Sequence, residues 1–103
     1  MTQRITDKDL QAVVNRINGK LKTPTQPYAQ NADGSHTAQI GCYHLSWDYD
    51  GVCLHQITNL GGGCRTVVCG GHVTKRQLYE MMHAFISGLD EREVADSLLQ
   101  RAA

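Results

Sequence analysis

No stretch of this 103-residue chain approaches the roughly 20 consecutive apolar residues of a membrane helix, and its opening, MTQRITDKDL, is polar where an export signal would be apolar. A cytoplasmic location and no membrane partner are expected. Charge of one sign is also missing. Ten Lys and Arg balance ten Asp and Glu, so no long-range field gathers nucleic acid or anionic lipid, and the weak colloidal repulsion is compatible with a homodimer. The signatures of common enzyme chemistries are missing as well: no paired carboxylates, triad order or metalloprotease motif occurs. The stretch Leu60-Gly61-Gly62-Gly63-Cys64 lacks the Lys-Ser/Thr end of a phosphate-binding loop. An enzyme is therefore not the leading expectation, and no cofactor is expected.

What remains is the composition of an ordinary folded domain, 41% hydrophobic and 19% charged. Its length suits one core, so residues 1–103 are read as a single domain. Cys42, Cys53, Cys64 and Cys69, without an export signal, are expected to be free thiols.

Thr6 is a helix cap, Asp7 and Asp9 suit the positive helix start, and Leu10, Val13, Val14 and Ile17 form one apolar stripe that Gly19 is expected to end. Residues 20–37, with Pro24 and Pro27, read as a connector. Alternation then takes over. Tyr43, Leu45, Trp47 and Tyr49 share one parity, and Asp50-Gly51 predicts a two-residue hairpin turn that sets Trp47 opposite Leu54 and Tyr49 opposite Val52. Residues 60–63 reverse the chain between strands at 52–59 and 64–69. Thr74 and Gln77 form a capping box for a second helix, whose Leu78, Met81, Met82, Phe85, Ile86 and Leu89 are expected to pack on the Leu45/Trp47/Leu54 face. Gly88 reads as that helix's C-cap, and 90–103 as a short C-terminal helix carrying Val94, Leu98 and Leu99. The fold class is α+β: a three-stranded antiparallel meander sheet with helices packed on it, in the order α-β-β-β-α-α.

Several phrases align with a known pattern: Gly41-Cys42-Tyr43-His44-Leu45, Gly51-Val52-Cys53-Leu54, Thr58-Asn59-Leu60-Gly61-Gly62-Gly63, and Gly71-His72-Val73-Thr74-Lys75-Arg76-Gln77-Leu78-Tyr79 with His83-Ala84-Phe85 and Gly88-Leu89. From about Thr6 to Leu89 the chain resembles a family of small proteins of tailed phages and prophages. The resemblance implies a phage accessory protein and supplies no catalytic residue.

Three classes of function follow. The leading one is non-enzymatic binding to a host or viral protein, in host takeover or defence evasion, with Tyr28, Ile57, Leu60 and Tyr79 as candidate contacts. The second is a nucleic-acid-binding module, because α-β-β-β-α is the element order of double-stranded-RNA-binding domains; Arg65, Lys75 and Arg76 would meet phosphates. The third is a zinc- or thiol-dependent enzyme. Cys42, His44, Cys53 and His55 share one sheet face under the predicted register, but the two cysteines lie far apart along it, which suits a four-ligand zinc site poorly. Cys64 or Cys69 with His72 or His55 is the thiol–base alternative.

Overall fold

A computed structural model describes residues 4–68 and 70–102. Its elements are α1 (Asp7–Leu21), β1 (Tyr28–Gln30), β2 (His36–Ala38), β3 (Tyr43–Asp48), β4 (Gly51–Ile57), β5 (Cys64–Val67) and α2 (Lys75–Ala102). β1 and β2 form a small antiparallel hairpin, and β3-β4-β5 form the expected antiparallel meander.

α1 starts at Thr6 through a reciprocal pair of bonds. The Asp9 N–H donates to Thr6 Oγ1 at 3.1 Å, and the Thr6 N–H donates to Asp9 Oδ2 at 2.9 Å. Donation to the Asp9 carboxyl by the Thr6 N–H, aided by the Thr6 hydroxyl, holds it below its usual range. The helix runs through Gly19, contrary to expectation, and ends when Lys22 turns left-handed at φ 59°. The stop lies there because the Lys22 and Thr23 N–H groups both donate back to carbonyls of the last turn, and Pro24 cannot continue the helix.

Residues 20–37 are more than a connector. They contain β1 and the start of β2, joined by a turn in which Asp33 accepts from Ser35 and Gly34 takes φ 88°.

The β3–β4 register differs from the predicted one by two residues. Trp47 pairs with Val52 and Leu45 with Leu54, so the reversal falls at Tyr49–Asp50 and Gly51 is taken into β4. The reason is a distant contact. Val73 bridges Val52 with paired backbone bonds of 2.8 and 2.9 Å, and a Cβ on Gly51 would lie 2.1 Å from the Val73 carbonyl oxygen. Gly51, at φ 142°, is needed for that approach and cannot serve the turn. A slip of two leaves every side chain on its predicted face.

Both helices cover one face of the three-stranded sheet. Leu10, Val13, Val14 and Ile17 of α1 and Leu78, Met82 and Ile86 of α2 close over Tyr43, Val52, Leu54 and Val67. Each such side chain contributes about 1.5–3 kcal/mol when fully buried. Trp47 has the expected face but is 49% exposed, on the edge strand β3. The Lys75 ammonium sits 5.7 Å from the Trp47 ring centre instead.

α1 is fastened to β3 by one buried amide. Asn18 Nδ2 donates to the Tyr43 carbonyl at 3.0 Å, and Asn18 Oδ1 accepts from the Tyr43 N–H at 2.9 Å and the Thr23 hydroxyl at 2.7 Å. The side chain thereby pairs with the edge strand as a neighbouring strand would. Asn18→Ala is expected to destabilise the fold by about 2–4 kcal/mol, since two buried backbone groups of Tyr43 lose their partners, each costing about 1–3 kcal/mol. Chemical unfolding measures this; a loss below about 1 kcal/mol would show that water replaces the amide at no cost.

α2 begins at the predicted capping box, with the Gln77 N–H on Thr74 Oγ1 at 3.1 Å and the Thr74 N–H on Gln77 Oε1 at 3.0 Å. It does not stop at Gly88. One 28-residue helix replaces the predicted pair, and residues 90–102 are its continuation. Beside Glu, Arg, Ala and Leu, strong helix formers, a single interior glycine costs only about 1 kcal/mol. Substitution gives a sign test. Gly88→Ala meets no atom within 4 Å and is expected to stabilise by about 0.5–1 kcal/mol, whereas a left-handed cap glycine would make the same change destabilising.

Candidate binding surfaces

The sheet face away from the helices divides into a closed end and an open one. At the closed end the β1–β2 hairpin covers it, where Ala38, Cys42 and Ile57 form a second small core. Ile57 is 1% exposed and is therefore a core residue, not the surface contact expected of it. Cys42 is equally enclosed, and burial pushes its thiol up. Cys53 is 0% exposed, with Ser46 opposite it on β3. The four-residue set Cys42, His44, Cys53 and His55 is thus not a ligand group: two of its members are buried in separate places.

At the open end the corrected register brings together a different set. His44 stands directly opposite His55, their rings edge-to-face at 5.8 Å. On β5, Cys64 is exposed and its Sγ lies 3.4 Å from His44 Nε2. His72 joins from the loop that returns to the sheet at Val73. Its ring is 6.3 Å from that of His55, and its Nε2 lies 3.3 Å from Ser46 Oγ. The chain leaves β5 through Val68, a β-branched residue at φ 61°, a conformation that costs about 1–3 kcal/mol. Cys69, the other candidate thiol, lies outside the described residues.

The remaining predicted contacts are scattered. Tyr28 and Leu60 are exposed at 50% and 68%, and the Tyr28 hydroxyl lies against Gly62, so these two flank the same glycine-rich turn. Tyr79 is half-buried against the main core and meets the His83 ring edge-to-face at 4.4 Å. Arg65 donates to Gln56 at 2.7 Å in the row of Tyr43, while Lys75 pairs with Asp7 at 2.6 Å and covers Trp47. Those two rows are four residues apart, roughly 13 Å along the strands. Arg65 and Lys75 do not form one basic patch.

A further exposed apolar surface lies on the free end of α2. From Asp90 to Ala102 every residue of α2 is exposed, including Val94, Leu98 and Leu99 at 50%, 57% and 69%. Lys20, at the end of α1, pairs with Asp90 and with Glu93, and marks where the body of the protein ends. The apolar residues were visible in the sequence as a helical stripe. A separate short helix over 90–103 would have placed them elsewhere; the unbroken α2 leaves them exposed.

Searches of protein-family models, curated proteins and solved structures gave no significant match. Among the described residues, no helix is long and apolar enough to cross a membrane.

Burial pushes the His55 imidazole down, and the positive charges that His44 and His72 can carry add to the shift. Between the depressed folded value and the ordinary value near 6.5, the unfolded chain binds more protons, so stability is full above that range and falls as pH drops through it. His55→Gln is expected to flatten this part of the curve in chelator-treated protein. Urea midpoints at about pH 5 and about pH 7.5 measure the slope, and an unchanged slope would assign the acid sensitivity to other groups.

Proposed function

We propose that this chain is an accessory protein of the tailed-phage type that acts by docking on a host or viral protein, through the outer face of the free end of α2. The observation that carries this reading is the projection of an apolar helix end from an otherwise covered core. The Cα radius of gyration is 15.8 Å and the longest extent 51 Å, against about 13 Å for the radius of a compact domain of this length. A helix of 28 residues is about 42 Å long, and its last thirteen residues are all exposed, with Lys20 pairing Asp90 and Glu93 at the near end.

At 3.6 residues per turn, Val94, Ala95, Leu98, Leu99 and Ala102 occupy one side of α2, roughly opposite Leu78, Met82 and Ile86. Ala84 and Gly88 extend that side toward the body with small residues, which lets another backbone come close. This is the pattern of a helix that lies in an apolar groove. Of the charged residues of 90–102, Glu93 and Asp96 fall on the opposite side of the helix, and Asp90 and Glu93 already pair with Lys20. The apolar side therefore carries little net charge, and the occupant assigned to it is a host or viral protein whose apolar groove admits one helix face.

A benzophenone side chain placed at Leu98, with Gln30 on β1 as the control position, tests this in infected host cells. A single stoichiometric adduct to a host or viral protein is expected from position 98 only, and Val94→Asp, an exposed change that leaves the core intact, is expected to abolish it. No adduct, equal adducts from both positions, or an adduct to a second copy of the chain would each sink the proposal.

A further inference from the structure

We infer that His44, His55 and Cys64 form a binding site for one zinc-class metal ion, independent of the docking surface on α2. The three residues come from three neighbouring strands, and their ligand atoms all lie within 4.8 Å of one another. The distance from His44 Nε2 to Cys64 Sγ is 3.4 Å. A tetrahedral zinc ion, with its nitrogen ligand at about 2.05 Å and its sulfur ligand at about 2.3 Å, holds those two atoms about 3.5 Å apart. One pair of ligands is thus already at bound spacing.

The orientation of His44 points the same way. Its Nδ1 lies 3.3 Å from the Leu45 carbonyl oxygen, to which only an Nδ1–H can donate. That bond sets the tautomer and leaves the Nε2 lone pair directed at the Cys64 side, the arrangement in which metal-ligating histidines are commonly held by a backbone carbonyl. Two imidazoles and a thiol, with no carboxylate in the group, select a borderline-soft ion over calcium or magnesium. Cys64 is exposed, which gives the ion a route in and the thiol proton a route out.

His72 stays outside this ligand set. Its Nε2 is engaged with Ser46 Oγ, and the group of mutually close ligand atoms does not include it. The ion would therefore have three protein ligands and a fourth position facing solvent. It would also tie β5, a four-residue strand beside the strained Val68, to β3 across β4.

Cobalt(II) is the probe, titrated into the full chain after removal of metal by chelator. One equivalent per chain is expected, with a thiolate-to-cobalt charge-transfer band and the intense visible bands of tetrahedral cobalt. Cys64→Ser, an exposed change, is expected to abolish the charge-transfer band and weaken binding by more than about a hundredfold, beyond what loss of an outer partner costs. His44→Gln is expected to do the same to affinity, while His72→Gln keeps the stoichiometry and the band. Circular dichroism confirms that each variant is folded. No uptake by the parent chain, uptake without a thiolate band, binding unchanged in Cys64→Ser, or loss of the site in His72→Gln would overturn the assignment.

Discussion

The arrangement of the whole protein depends on the buried Asn18 amide. A three-stranded sheet has two open edges, and one of them, β3, must run beside α1 in the core, where an unpaired backbone group has no water to turn to. Asn18 presents one donor and one acceptor to Tyr43 and takes a third bond from Thr23. The same residue thereby ends α1, through the carbonyl that the Thr23 N–H meets, and positions β3. Once β3 is placed, the side-chain alternation of the meander decides which face the helices cover and which faces outward. The cluster of His44, His55 and Cys64 lies on the outward face for that reason.

Much of this was legible in the sequence because it depends on neighbours a few residues apart. The Thr6 cap, the Thr74/Gln77 capping box, the apolar stripe of α1, the three-stranded meander and the parity of its faces follow from local chemistry, and all are present. The β1–β2 hairpin was also legible, since Asp33-Gly34 carries the same turn signal that was read at Asp50-Gly51. The register was not. It depends on Val73, which lies 22 positions beyond Gly51, and no local pattern announces that a carbonyl will occupy the space above that glycine. The slip of two residues left the faces intact while changing which side chains meet, and this is why His44 was assigned to the correct face with the wrong neighbours.

The continuity of α2 escaped for a different reason. Gly88 has the form of a helix stop in the sequence, but an exposed interior glycine is a small penalty within a long run of good helix formers. The two readings lead to different molecules. A break would let Val94, Leu98 and Leu99 fold back onto the sheet as core, whereas an unbroken helix carries them away from it. The two ends of the protein consequently differ in kind: a sheet face populated by imidazole and thiol groups, and a helix whose apolar side has no partner among the described residues.

The close approach of Gly51 to Val73 also bears on how the chain reaches this structure. The tight β3–β4 hairpin is a local element of the sort that closes in microseconds. Its native register, however, is rewarded only when residue 73 arrives, which requires β5 and the loop beyond it to be in place and α2 to be starting. Before that moment the Asp50-Gly51 turn and the native reversal compete, and they differ by two residues with identical faces. The Val73 contact therefore discriminates between the two registers: it favours the one that leaves a bare Cα beneath its carbonyl. The pairing of β3 with β4 is in this way coupled to the chain beyond β5.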